Sequence, residues 1–329
     1  MTRIAIIGGG VGGLTLAHAL RDVAAITVFE KGRGLGGRTS TRREGPFNFD
    51  HGAPCFTCRT PEFDAWLAPL RAAGVVAQWA GPVVNLAGGR VTGPRLWTER
   101  HLVGVPGMNA IAQHLATGLD IRVGTEVAPL VASGRERRLY DLTSPTGAPL
   151  GHFDVVVSTA PPHQTRALFG PAVPAETLPQ GAMKPRHALM AAWERPWPEP
   201  WIAAKVQDGR IRFVSVDSSK PGRNAGHTTL VAHTRSRWSA LHEASTSAAL
   251  EPLLLEALRR ALPVDLGAPA LVRAHRWRSA LVASTPRSGP WYDAASGLAA
   301  TSDWALTSRI EEVCLAALSL ADRIKAGLS

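Results

Sequence analysis

Arg3-Ile4-Ala5-Ile6-Ile7-Gly8-Gly9-Gly10-Val11-Gly12-Gly13 stands at the head of the chain, and its reading decides the fold. Residues 3–7 are a short apolar run rich in β-branched side chains that stops at glycines, the pattern of a buried parallel strand. Residues 12–21 then place Leu14, Ala17 and Leu20 on one face of a helix. Residues 26–29 (Ile-Thr-Val-Phe) form a second strand, closed by Glu30. Together they make one β-α-β unit.

The turn inside that unit is Gly8-x-Gly10-x-x-Gly13. Three spaced glycines alone are a weak signal. Between a strand and a helix, and followed by an acidic strand end at Glu30, they are a strong one for a dinucleotide. Gly8 permits the tight turn, Gly10 lets the backbone approach a pyrophosphate, and Gly13 lets the helix pack on the strand. Gly12 lies in the first helical turn, whose free N–H groups and positive dipole end favour phosphate. Glu30 can accept hydrogen bonds from the adenosine ribose hydroxyls.

The next element separates FAD from NAD. Gly34-Leu35-Gly36-Gly37-Arg38-Thr39-Ser40-Thr41 follows Glu30 directly. Gly36 and Gly37 let backbone come close to a second part of the cofactor, and Arg38 offers a planar fork suited to a pyrophosphate. NAD-dependent dehydrogenases do not usually carry such an element there, so FAD is expected.

Further along, helices are expected over 61–73, 107–117, 246–261 and 308–325, and strands over 121–127, 153–158, 211–216, 228–233 and 297–300. The proline-rich stretch 170–200 reads as irregular. The fold class is α/β. A Rossmann-like FAD-binding domain is expected from residues 1–60, 100–165 and 270–329. A second, α+β substrate-binding domain built on an antiparallel sheet is expected from 61–99 and 166–269.

The 329 residues suit two domains, and 45% apolar content supplies a normal core. The formal net charge is +10, and only five of the 36 basic residues are lysines. The arginines are spread along the chain rather than clustered, which speaks against nucleic acid and fits a basic surface or a funnel for a phosphorylated small substrate. Three cysteines, Cys55, Cys58 and Cys314, are too few for a disulfide framework. No signal peptide and no apolar run of membrane-spanning length is read, so a cytoplasmic protein without membrane contact is expected.

Glu30-Lys31 followed by Gly34–Thr41 resembles the second signature of amine-oxidase-type flavoproteins. Asp50-His51-Gly52-Ala53 resembles the short acidic-x-Gly-Ala element that follows it there. Ser302-Asp303-Trp304 resembles the Gly-Asp-Trp element whose aspartate holds the ribityl chain of FAD. Val127, after Gly124-Thr125-Glu126, matches the position whose backbone meets the adenine. More specifically the chain resembles the renalase family, its bacterial members above all. The matching stretches include Trp79, Val103–Met108, Ser219-Lys220-Pro221, His233-Thr234, Trp238-Ser239, His275-Arg276-Trp277 and Ser308–Glu311. Departures stand at Pro54-Cys55, where the family has Gln-Tyr, at Ser302 in place of Gly, and at Glu312.

The resemblance implies an FAD-dependent oxidase that takes a hydride from the 2- or 6-dihydro isomers of NAD(P)H and passes electrons to O2, giving hydrogen peroxide. Such chemistry needs positioning and a water-poor pocket more than a general base, and no base, metal motif or nucleophile–His pair stands out. His233, Trp238, Trp277 and Cys55 are the candidates for the substrate pocket. Each has a plain alternative: core aromatics for the tryptophans, a satisfied buried histidine for His233. His51 reads as a buried neutral histidine. The Cys55-x-x-Cys58 spacing lacks the context of a redox relay or a zinc site, and covalent flavin attachment is not expected. An amine oxidase or desaturase on another small substrate, and a flavin-binding protein without turnover, remain as other readings.

Overall fold

A computed structural model describes residues 1–131, 139–207, 209–284 and 289–328. The opening strand, Arg3–Ile7, is central in a six-stranded sheet. Ala25–Glu30 and Asp120–Val123 extend it on one side. Val155–Ser158, Leu298–Ala300 and Trp291–Asp293 extend it on the other. All pairings but the last are parallel. Parallel sheets bury both faces, and alternate residues show it. Ile4, Ile6 and Val157 pack with Leu14 and Ala17 of the first helix (Val11–Leu20) and with Cys314, Ala317 and Leu320 of the last (Ile310–Leu328). Ala5, Phe29 and Val156 pack with Phe153, Leu168 and Phe169 on the opposite face. The strand order reverses at Arg3–Ile7, and the crevice beyond such a reversal is where open α/β sheets bind ligands.

The second sheet has seven strands, in the order Leu271–Ser284, Ala182–Trp193, Thr228–Thr234, Ile211–Val216, Ala203–Val206, Val83–Ala87 and Arg90–Pro94. All its pairings are antiparallel except that between Ala203–Val206 and Val83–Ala87. One face packs Leu189, Ala191, Val214 and Leu230 against Leu250, Leu254 and Leu258 of the helix Ser247–Ala261. The other face looks toward the first sheet.

Two expectations are corrected. Residues 182–193, read as irregular because of their prolines, form a twelve-residue central strand. Pro185 is accommodated because the register shifts between Lys184 and Arg186, and a bulge is where a strand tolerates a residue without an N–H. Residues 271–284, assigned to the FAD-binding part, instead form the edge strand of the seven-stranded sheet. Their alternation is muted because most of their side chains are only half-buried.

A buried ionic cluster ties the loop after the first dinucleotide elements to this sheet. Lys220 Nζ lies 3.0 Å from Asp50 Oδ2 and 2.7 Å from Asp217 Oδ1. Arg223 Nη2 lies 2.6 Å from Asp50 Oδ2. Asp50 also accepts from Thr41 Oγ1 and the Met108 N–H, while its own N–H donates to Asp217. Burial disfavours the Asp50 charge, but Lys220 and Arg223 outweigh that and hold its carboxyl down to about 2. Burial likewise works against the Lys220 ammonium, and Asp217 and Asp50 together raise it nonetheless. Burial raises the Asp217 carboxyl, with Asp50 adding to it, against the opposing pull of Lys220; with both carboxylates ionised, the two cations are balanced.

Removing one member strands the rest, which typically costs about 3–5 kcal/mol. Lys220→Met is therefore expected to destabilise the flavin-loaded protein by about that amount in urea unfolding. Arg260→Ala, which breaks an exposed helical pair with Glu256, should leave the midpoint where it is. Equal midpoints for wild type and Lys220→Met would show that the cluster does not hold the fold.

Candidate active site

A large cleft of about 1340 Å³ runs between the two sheets. That exceeds the roughly 300–1,000 Å³ of a pocket for a drug-sized ligand, so it can house a dinucleotide and a substrate together. One end is built by the opening β-α-β unit. Gly8, Gly10, Gly12 and Gly13 all line it. At Gly13 a Cβ would come within 2.1 Å of the Gly8 carbonyl oxygen, so only glycine allows the helix to start this close to the strand. The helix carries no side-chain N-cap and no acidic residue in its first turn, which leaves donors for a phosphate. The Gly36–Gly37 loop is stitched to this turn by the Gly36 N–H on the Gly9 carbonyl, 2.9 Å.

Glu30 lies at the same end. One carboxylate oxygen accepts from the Gly9 N–H at 2.8 Å and the other from the Gly32 N–H at 2.6 Å. Each keeps acceptor capacity for a ribose hydroxyl. Lys31 lines the cleft and reaches Gln164 Oε1 at 3.4 Å. Val127 is a buried part of the wall.

The Arg38 fork lines the cleft and is bidentate on Asp303, at 2.6 and 2.8 Å. Ser308 Oγ donates to the same carboxylate at 2.8 Å. The planar fork and the carboxylate match geometrically, so Arg38 and Asp303 act as one paired unit on the cleft wall. Trp304 is 2% exposed and packs in the core behind it, its indole N–H on the Ala160 carbonyl.

The other end of the cleft is a face of the seven-stranded sheet. Register aligns His275, Ala188, His233 and Phe213 in one row across four strands, with Trp277 and Arg186 paired in the next. His51 reaches over from the Asp50–Ala53 loop and stacks on Trp277, ring centroids 5.1 Å apart. Its carbonyl accepts from Trp277 Nε1 at 2.8 Å and bonds His233 Nε2 at 3.3 Å. Gly52 is forced by close approach: a Cβ there would lie 2.0 Å from the Arg38 carbonyl oxygen. The loop is thus clamped between the dinucleotide end and the sheet.

Of the four pocket candidates, His233, Trp277 and Cys55 line this cleft and Trp238 does not. Trp238 packs against His187 and stacks on His242, 4.0 Å between centroids, behind the sheet. Cys55 and Cys58 are free thiols. Burial pushes Cys55 up to about 12, so it is no thiolate nucleophile. Sequence reasoning missed His275, Arg186, Arg212 and Phe213. The alternation in 211–216 and 228–233 put residues on faces, but only the register shows which of them meet.

The histidines are neutral at physiological pH. Burial lowers His51 to about 3, with His275 adding to it. Burial lowers His233 to about 4, with Arg186 adding to it. Burial and Arg42 lower His275 to about 4. Among the described residues no group of His, Cys, Asp and Glu is arranged to hold a metal ion, and no helix is long and apolar enough to cross a membrane.

This geometry defines an FAD-dependent oxidoreductase, and comparison with known proteins places it further. The chain matches the NAD(P)-binding Rossmann-like domain over residues 6–70 and the flavin containing amine oxidoreductase family over residues 83–321. The second match covers well over half the chain, and the protein belongs to that family, with FAD as its cofactor. Coproporphyrinogen III oxidases of Mycobacterium leprae (strain TN) and Mycobacterium tuberculosis (strain ATCC 25618 / H37Rv) are each 45% identical over 69 residues. That stretch is 20% of this chain and only 15% of the length of those relatives. Among solved structures, a protein from Exiguobacterium sp. 255-15 assigned as a protoporphyrinogen oxidase superposes with a TM-score of 0.76 at 16% identity. Cyclohexylamine oxidase from Brevibacterium oxydans IH-35A gives 0.75 at 14%. A putrescine oxidase bound to putrescine gives 0.73 at 13%. Each alignment covers 99% of both chains, and at such identities the likeness is one of fold.

Two outcomes follow. A Cβ on Gly10 meets only the Gly36 carbonyl oxygen, at 4.0 Å, so Gly10→Val should fold normally yet purify without yellow colour. Full flavin content in that variant would move the pyrophosphate away from this turn. The histidines set an acid limit. His233 binds protons near 6.5 when unfolded and near 4 when folded, so its stabilisation is complete above pH 6.5 and is lost as pH falls toward 4. The loss at pH 5 is about 2 kcal/mol from His233 alone. Melting curves of His233→Gln should drop less between pH 8 and 5 than those of wild type; parallel drops would refute a neutral buried His233.

Proposed function

We propose that the protein is an FAD-dependent oxidase of a reduced nicotinamide nucleotide, the 2- or 6-dihydro isomer of NAD(P)H. The observation that carries this reading is the wall facing the cofactor end of the cleft. It is aromatic at Phe213 and Trp277, with a neutral His233 beside Phe213 and Arg186 opposite Trp277, and among the described residues it holds no carboxylate. The resemblance of the central stretches to the renalase family supports the same substrate.

FAD, when bound, would supply the hydride acceptor and the route of two electrons to O2 that gives hydrogen peroxide. The chain's own residues hold and position. Gly8, Gly10, Gly12 and Gly13 with Glu30 and Val127 take the adenosine and pyrophosphate, without a covalent link. Gly36, Gly37 and the Arg38–Asp303 pair flank the middle of the cofactor. Trp277, backed by His51, offers an aromatic surface on the cleft wall to a flat ring, and the tether of the His51 loop to Arg38 keeps that wall in register with the cofactor. The half-buried side chains of Cys55 and Phe213 help exclude water. A dihydronicotinamide already carries a transferable hydride, so no residue need remove a proton. An amine fits this wall less well: its ammonium would enter a cleft end lined by Arg186, Arg212, Arg276 and Arg278.

Anaerobic mixing decides the matter. The 2- or 6-dihydro isomers should bleach the flavin absorption within seconds, ordinary 4-dihydro NADH far more slowly, and readmitted oxygen should yield peroxide. Acid should release all the colour as free FAD. Bleaching by a primary amine but by neither isomer would make the protein an amine oxidase, and bleaching by dithionite alone would leave it a flavin carrier without turnover.

A further inference from the structure

Four arginines line the substrate end of the cleft: Arg186, Arg212, Arg276 and Arg278. Among the described residues none of them forms an ion pair. Elsewhere the chain pairs its buried cations with care, as Lys220 and Arg223 show. The cleft's carboxylates are Glu30, Glu126 and Asp303. Glu30 is bonded to backbone amides and Asp303 to Arg38, and Glu126 forms no ion pair among the described residues, so none of the three is paired with these arginines.

Arg186 and Arg212 are the informative pair. Arg186 stands on a central strand opposite Trp277. Its Nε is buried without any hydrogen-bond partner. Its Nη2 has only Ser236 Oγ, at 3.2 Å. Burial, with the Arg212 guanidinium adding to it, pushes Arg186 down to about 10. Arg212, an exposed side chain, sits two strands away, at the register shift between Ile211 and Phe213, and lines the same cleft. Its side chain makes no hydrogen bond to another described residue, and the bulge turns it out of the regular alternation. A guanidinium with a buried Nε unused, in a cleft that holds a second unpaired like charge, is an arrangement that an anion would complete.

We propose that Arg186 and Arg212 form an anion clamp that takes the phosphate of the substrate. This rests on the cleft's assignment as a substrate site but not on the identity of the ring that is oxidised. The planar forks suit phosphate and carboxylate alike. The clamp excludes cationic substrates by charge and draws nucleotides in. Arg276, whose Nη1 donates to the Glu243 carbonyl, and the exposed Arg278 extend the positive field toward the mouth.

The test uses the FAD-loaded protein, its Arg186→Gln and Arg212→Gln variants and their combination. Dihydronicotinamide mononucleotide and the corresponding riboside, which lacks the phosphate, are compared as reductants. Wild type should favour the mononucleotide in kcat/KM by about 10–100-fold, the weight of a charge-assisted hydrogen bond. The double variant should lose that preference, which a merely structural role would not move because it would slow both substrates together. An unchanged preference overturns the clamp. Binding is read separately, through perturbation of the flavin spectrum by inorganic pyrophosphate and by malonate. Arginine-dependent pyrophosphate binding without any dihydronicotinamide turnover keeps the clamp and discards that substrate. Malonate binding without pyrophosphate binding keeps the clamp and assigns it to a carboxylate. Equal affinity of wild type and double variant for both anions overturns it.

Discussion

The position of the Lys220 ammonium between Asp50 and Asp217 is the constraint on which the site depends. Asp50 belongs to the segment that follows the dinucleotide loops; Asp217 follows a strand of the second sheet. With Arg223 they form an ionic cluster that has no access to water. Such a cluster is a poor source of net stability but a strict specifier of geometry, since any other arrangement leaves a buried charge alone. Here the geometry specified is that of the Asp50–Ala53 loop. One residue on, the His51 carbonyl receives Trp277 and His233. Two residues on, Gly52 lies against the Arg38 carbonyl. The two halves of the cleft are therefore registered by one short segment, pinned at its start by charge and along its length by hydrogen bonds.

Electrostatics divide the cleft. At the dinucleotide end the charges are already spoken for: Glu30 holds amides and Asp303 holds Arg38. In the middle the histidines are neutral, since burial outweighs anything that would protonate them. At the substrate end positive charge is left without a counterpart among the described residues. A hydride donor bearing a phosphate suits that sequence of environments, with its charged part steered by arginine and its ring beside neutral histidines.

The dinucleotide half of this picture was legible in the sequence because its constraints are local. Gly8, Gly10 and Gly13 answer to a turn and a helix start a few residues apart, and the strand–helix–strand context surrounds them. The substrate half was less legible because it is made by register. Arg186 faces the cleft only because a bulge at Pro185 lets a proline-bearing stretch become a central strand, and no local signal announces that. Trp238 and Trp277 looked alike in sequence; one lies behind the sheet beside His242 and the other on the cleft wall under His51. Arg38 was read correctly as a fork, but its partner, Asp303, lies 265 residues away. Pairings at such separations are decided by packing rather than by spacing.

The central claim is that one cleft, registered by the Asp50–Ala53 loop, holds the cofactor and presents its reactive ring to the Trp277 row. A crystal structure of the FAD-loaded protein tests it most directly. Expected there are the adenosine beside Glu30 and Val127, the pyrophosphate at the start of the Val11–Leu20 helix, and the flavin ring on the cleft side of Gly52–Cys55 and of the sheet face carrying Trp277 and His233. A flavin ring bound away from that face, or an adenosine seated elsewhere than at Glu30, would contradict it.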